Sequence, residues 1–174
     1  MKPLFLVGYM GCGKSTLARR LARRLGTVCA DTDALVEERE GASVADIFRY
    51  EGEEYFRRVE REVLEEIIAR GAAVVSTGGG LPVRGDNMAR MNDAGVTVYL
   101  RRSAEQIARR LSPYGRQKRP RLRGLGDGEL VAFMARDIAE REPCYARAQL
   151  IVDCAGASDE ELTERILTAV EYGG

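Results

Sequence analysis

Three features of the sequence predict an α/β fold built on a largely parallel sheet. Short apolar runs of strand length recur along the chain, helical stretches alternate with them from the first residues, and glycine-rich segments directly follow two of the runs. Residues 4–7 read as a first buried strand. Residues 15–25 read as a helix, with Leu17, Leu21 and Leu25 at four-residue spacing and Gly26 as its stop. Residues 28–30 form a short second strand that ends at Asp31. From 34 to 70 the sequence is helical but interrupted by Gly41 and Gly52, which predicts several helices; in the last of them Phe56, Val59, Val63 and Ile67 share a face. Residues 72–76 and 96–100 are the next strands, 104–111 a helix, 112–126 a loop, 129–141 a helix, 150–152 a fifth strand and 159–170 a closing helix. No repeat, low-complexity tract or linker divides the 174 residues, so one domain is expected.

Composition narrows the function classes. With 45% hydrophobic and 31% charged residues the chain reads as soluble and globular. No apolar run approaches the roughly 20 residues of a membrane span. Met1-Lys2-Pro3 leads straight into a strand without a signal-peptide pattern, so a cytoplasmic protein is expected. Four cysteines without Cys-x-x-Cys spacing, in a chain with no histidine, exclude a zinc site of the usual kind and histidine-based catalysis; packed, reduced thiols are expected. Net charge is zero, yet residues 31–66 hold 13 acids and 5 bases while residues 101–123 hold 9 bases and 1 acid. Solvated helix faces would account for such runs, but Ser112, Pro113, Gly115 and Pro120 break the basic one, as in a mobile arginine-rich loop that meets a polyanion. Zero net charge and few aromatics favour ATP over nucleic acid as that polyanion.

Gly8-Tyr9-Met10-Gly11-Cys12-Gly13-Lys14-Ser15 fits the pattern Gly-x-x-x-x-Gly-Lys-Ser/Thr, with a strand before it and a helix after. Glycines let backbone amides turn toward phosphate oxygens, and the helix start adds the positive end of its dipole. Lys14 supplies a point charge for the β and γ phosphates, and the Ser15 hydroxyl suits Mg²⁺.

On the acceptor side, Asp31-Thr32-Asp33 follows a strand, so its carboxylates project at the same rim. One carboxylate can serve Mg²⁺ and the other can orient a hydroxyl and take its proton; alternatively, one merely caps the next helix. Arg57 and Glu60 are three apart on a helix, where arginine offers a planar fork to a carboxylate and Glu60 can hold it, or where the two form an exposed ion pair. Gly78-Gly79-Gly80 after a strand is either a plain turn or a place where backbone amides reach substrate hydroxyls.

Taken together, the residues 8–16, Asp31-Thr32-Asp33 with Glu37, 41–48 leading into Gly52-Glu53 and Phe56-Arg57-x-x-Glu60, Gly78 to Gly80, Arg119-Pro120, and Arg141 with Tyr145 resemble the shikimate kinase family over nearly the whole chain. The resemblance implies a monomeric P-loop kinase fold with helices on both faces of a five-stranded parallel sheet. It implies transfer of the γ-phosphoryl of ATP to the 3-hydroxyl of shikimate, with Mg²⁺ as cofactor. Asp33, Arg57, Arg141 and Gly78 to Gly80 would hold shikimate, and Asp33, Lys14 and Arg119 would be catalytic. Gly11, Cys12, Gly13, Lys14, Ser15, Thr16 and Arg119 would bind ATP, with Arg109 or Arg110 against the adenine. Ser15, and Asp31 through water, would serve Mg²⁺. An acceptor-binding segment would span about 33–60 and a lid about 112–124, the lid expected open and mobile without nucleotide because like-charged loops resist closing.

Arg121 and Arg123 add charge after Arg119-Pro120, so a neighbour of Arg119 is an alternative catalytic arginine. The strand 72–76 does not end in an acidic residue, where many P-loop proteins place one to hold the metal. Kinases of gluconate or nucleoside monophosphates, a nucleotide-binding switch, and a nucleic-acid module using residues 101–123 are the competing readings. The combination of Phe56-Arg57-x-x-Glu60 and Gly78 to Gly80 speaks against the first, and the joint presence of Asp33, Arg57, Arg119 and Arg141 against the second.

Overall fold

The structure is a computed structural model that describes residues 1–71, 73–111, 113–117 and 119–172. Along the chain come β1 (Leu4–Val7), α1 (Lys14–Leu25), β2 (Val28–Asp31), α2 (Thr32–Glu40), α3 (Val44–Tyr50), α4 (Glu53–Arg70), β3 (Ala73–Ser76), α5 (Asn87–Ala94) and β4 (Val96–Arg101). There follow α6 (Ala104–Arg110), α7 (Pro113–Gln117), a 3₁₀ turn (Pro120–Leu122), α8 (Asp127–Tyr145), β5 (Leu150–Asp153) and α9 (Asp159–Tyr172). All strands are parallel, in the order β2-β3-β1-β4-β5. Burial follows that order. β1 and β3 are buried along their length, whereas the edge strands β2 and β5 are half exposed, with Val28 65% accessible.

Because parallel crossovers are right-handed, the leftward step from β1 to β2 carries α1 on one face, and the rightward steps carry the other connecting helices on the opposite face. α9 packs back on α1. The buried apolar side chains, from both faces of the sheet, form one connected core. Phe56, Val59, Val63 and Ile67 enter it from α4, as their spacing predicts.

The connection leaving β1 runs left and the one leaving its neighbour β3 runs right, so a crevice opens beyond the carboxyl ends of these central strands. Register places the site there. Asp31 pairs with Ser76, and Leu6, two residues before the first motif glycine, pairs with Ser76 as well.

Four expectations need correction. First, α5 lacks a long apolar stripe and escapes the periodicity argument; only Met88 and Met91 bury, with Asn87 Nδ2 donating to Leu81 O. Second, the expected loop 112–126 contains α7 and the 3₁₀ turn, each beginning at a proline, whose restricted φ suits a first helical position; Ser112 and Lys118, like Ala72 of the third strand, lie outside the described residues. Third, α8 continues through Pro143 to Tyr145, whose buried ring and hydroxyl bond to Gly79 O hold the last turn. Fourth, of the four free cysteines only Cys12 and Cys154 are buried, while Cys29 is exposed because it sits on an edge strand.

Candidate active site

The glycine motif turns directly from β1 into α1. Gly13 caps that helix at φ +101°, a conformation only glycine adopts readily. A Cβ there would also lie 3.0 Å from Arg110 Nη2, so the missing side chain lets that arginine rest against the loop. Lys14 is buried, and its Nζ donates to the carbonyls of Gly8 and Tyr9 at 2.7 and 2.9 Å, which holds the ammonium over the loop. The Cys12 side chain is buried and turned away from the cleft, while Cys12 O accepts from Arg102 Nε at 2.9 Å.

Asp31 caps the next helix and also faces the P-loop. Its Oδ1 caps α2, accepting from the backbone N–H of Asp33 and Ala34, and its Oδ2 accepts from Ser15 Oγ at 2.9 Å. Capping therefore fixes the carboxylate that faces Ser15. Ser76 Oγ lies 3.1 Å from Ser15 Oγ, at the strand end where an acidic residue was lacking. The group offers only oxygen donors, as a hard divalent cation requires.

The Arg57–Glu60 pair is not an exposed one. Glu60 is 1% accessible and accepts from Arg57 Nη1 at 2.8 Å. Burial of Glu60 outweighs its arginine partner and pushes its carboxyl up to about 7. Asp33 is only partly covered but surrounded by protein atoms; desolvation first, then the nearby Asp31 carboxylate, raise it to about 6 against the opposing pull of Lys14 and Arg57.

Nor is Gly78 to Gly80 a plain turn. A Cβ on Gly78 would fall 2.6 Å from Asp33 Oδ1 and 2.9 Å from Glu60 Oε1, and one on Gly80 within 2.5 Å of Arg57 Nη2. A Cβ on Gly79 would have Arg141 Nη1 at 3.6 Å. The glycine run is thus the floor on which four charged side chains from α2, α4 and α8 converge. Thr32 Oγ1 accepts from Gly78 N–H at 2.8 Å and Tyr145 donates to Gly79 O at 2.6 Å, pinning that floor. Arg57 Nε and Glu60 Oε1 are buried without a hydrogen-bond partner among the described residues, the state of groups held ready for something else.

A cleft of about 380 Å³ joins these parts. Its walls include Gly11, Gly13, Lys14, Ser15, Thr16, Asp31, Asp33, Gly78, Gly79, Arg110 and Arg119. Gly80 of the glycine run, and Arg57 and Arg141 beside that run, do not line the cleft. Gly115 and Arg119 of the arginine-rich segment form part of the cleft wall, and arginines of the segment find local partners: Arg119 donates to Gly115 O, Arg116 to Asp127 and Arg121 to Asp137.

Comparison with known proteins agrees with this geometry. A family profile described as shikimate kinase matches residues 10–171. The chain belongs to the shikimate kinase family. It is 42% identical to a shikimate kinase of Parabacteroides distasonis over 94% of this chain and 92% of that protein, and 39% identical to one of Geobacter metallireducens over 98% and 93%. Among solved structures, shikimate kinase from Bacteroides thetaiotaomicron superposes with a TM-score of 0.91 at 37% identity, covering 98% of both chains. Shikimate kinase from Acinetobacter baumannii in complex with shikimate superposes at 0.89 and 31% identity, covering 99% of this chain and 94% of that one. Set within this family, two side chains that the sequence reading did not single out stand at the site. Tyr9, inside the glycine motif, and Asp137, one turn before Arg141, are joined by a 2.8 Å hydrogen bond. The four-residue spacing of Asp137 and Arg141 on α8 was the available signal.

Proposed function

We propose that the protein transfers the γ-phosphoryl of ATP to the 3-hydroxyl of shikimate, yielding shikimate 3-phosphate and ADP on the route to chorismate and the aromatic amino acids. Membership of the shikimate kinase family supports the reaction. One observation carries the residue assignment: Asp33, Glu60-held Arg57 and Arg141 converge on Gly78 to Gly80 beside the P-loop. That surface suits a small polyol bearing a carboxylate.

In this reading the amides of the motif from Gly11 to Thr16 hold the phosphates, and Arg110 lies against the adenine. Arg57 and Arg141 present guanidinium forks to the shikimate carboxylate. The Asp33 carboxylate accepts the hydroxyl proton as the new O–P bond forms and the bond from the γ-phosphorus to the bridging oxygen of ADP breaks. Lys14 and Arg119 offset the charge that develops on the transferring group. Arg119, rather than Arg121, is assigned this role because it lines the cleft while Arg121 is engaged at Asp137. Ser15 and Asp31, with Asp31 acting through water, would hold Mg²⁺, which would supply positive charge to offset that of the phosphates.

The protein acts as a single domain and as a monomer in the cytoplasm, with no nucleic-acid or membrane partner. In support, every proposed site residue comes from one chain, and among the described residues no helix is long and apolar enough to cross a membrane. A coupled ADP-release assay with shikimate, gluconate and nucleoside monophosphates as acceptors tests the reading. Turnover with shikimate alone is expected; folded protein that turns over a different acceptor and not shikimate sinks it.

A further inference from the structure

α8 presents Phe133, Asp137 and Arg141 at four-residue spacing, so their side chains stack along one face. The Arg121 guanidinium sits over the Phe133 ring, 5.3 Å from its centroid, and meets Asp137 with both prongs: Nη1 to Oδ2 at 3.0 Å and Nη2 to Oδ1 at 3.4 Å. Tyr9 donates its hydroxyl to the same Oδ2 at 2.8 Å. Arg141 Nε lies 3.4 Å from Oδ1, and the Arg141 guanidinium rests 5.5 Å over the Tyr9 ring. One carboxylate, 6% accessible, is therefore shared by the P-loop, the arginine-rich segment and the acceptor helix.

Charge explains why the carboxylate matters. Half-exposed Arg121 and largely covered Arg141 carry like charges on either side of Asp137, which pairs with both. Its contact with Arg141 is through Nε, while the Tyr145 hydroxyl is a second partner of that guanidinium and Nη1 lies toward Gly79, where the acceptor is read. Its grip on Arg121 seats the 3₁₀ turn, which Leu122, 1% accessible, anchors in the core. Arg119 stands two residues before Arg121, within about 7 Å along the backbone, so the seat of the turn limits where Arg119 can reach.

We infer that Asp137 is a positioning residue that couples the segment carrying Arg119 to the acceptor anchor Arg141, with Arg121 as the latch between them. Filling the acceptor site and seating the phosphoryl-side arginine are then linked events. The inference rests on the reading of Arg141 as a shikimate anchor.

A double-mutant cycle on the full chain tests it, reading kcat and the KM for shikimate and for ATP. In Asp137→Asn we expect shikimate KM to rise and kcat to fall, each about tenfold, with ATP KM little changed. Arg121→Gln is expected to lower kcat about fivefold, Arg121→Lys to recover part of that loss, and the double variant to be no worse than Asp137→Asn alone. Effects that multiply in the double variant overturn the coupling, as does a fall in melting temperature with kcat and KM at wild-type values. If Asp137→Asn does not fold, the Arg121 pair still decides, since wild-type kinetics in Arg121→Gln refute the latch. Arg141→Ala is measured alongside: an unchanged shikimate KM there defeats the anchor reading itself, whereas a raised one with multiplying effects defeats only the coupling.

Discussion

The two halves of the cleft meet at the carboxyl ends of the strands but are held by different means. The phosphate side is a stretch of backbone, set by one strand, one helix start and glycines that accept unusual φ. The proposed acceptor side is a cluster of charged side chains from α2, α4 and α8 packed against a glycine floor, with Glu60 buried among them. Backbone cradles are rigid and indifferent to the rest of the ligand, so many acceptors can share one. Buried charges are costly unless each has its partner, so a cluster of them is selective and fragile. Donor recognition is thus the robust half and acceptor recognition the sensitive one.

Breaking the acceptor half should leave the donor half standing. Asp33→Asn is expected to lower kcat with shikimate about 10³-fold, while the dissociation constant for ATP, measured by titration calorimetry, stays within about twofold. Arg57→Ala should raise shikimate KM about 100-fold through loss of the fork and the stranding of Glu60, again with ATP binding intact. Parallel loss of ATP affinity in either variant would erase the contrast. Gly80→Ala places a methyl where the Arg57 guanidinium lies, so a rise in shikimate KM of about tenfold is expected, with kcat and ATP KM nearly unchanged.

The smallest effect sharpens the contrast through pH. Asp33 and Glu60 have folded values of about 6 and about 7, above their ordinary values of 3.8 and 4.5. Below the ordinary values both are protonated folded or unfolded, and burial of the neutral groups favours the fold. As pH rises through 6 and 7 the folded protein must ionise them in place, and that stability is lost. Melting temperature should therefore fall by a few degrees between about pH 5 and 8, and Glu60→Gln should flatten part of the decline. Over the same range kcat/KM should rise with an apparent pKa near 6 as Asp33 becomes the ionised base. A melting temperature that climbs with pH in the wild type, or a decline unchanged in Glu60→Gln, would contradict the assignment of these shifts.

Much of this was legible beforehand. The strands from β1 to β5, the P-loop and the buried face of α4 announce themselves through local pattern, because backbone geometry and amphipathic spacing act over a few residues. Gly78 to Gly80 were visible as candidates, yet only the structure gives their reason, since Asp33, Glu60 and Arg57 press on them from 18 to 45 residues away in the chain. The short helix α5 was missed because its burial comes from tertiary neighbours and not from periodicity, and α7 because its 5 residues, with Tyr114 exposed, are too few to show a period. Asp137 was missed because a lone acid on a helix reads as solvated until Tyr9, Arg121 and Arg141 are seen around it.

The sequence by itself determined the donor: a strand, eight residues and a helix suffice to build a phosphate cradle, because its parts are adjacent in the chain. It also determined, through resemblance, the family. Only the tertiary structure decided that Glu60 is buried, that Arg119 faces the cleft while Arg121 turns to α8, and that Asp137 joins the two sides. Those are facts of desolvation and of charge meeting charge across distant segments, and neither is written in the order of residues until the chain has folded.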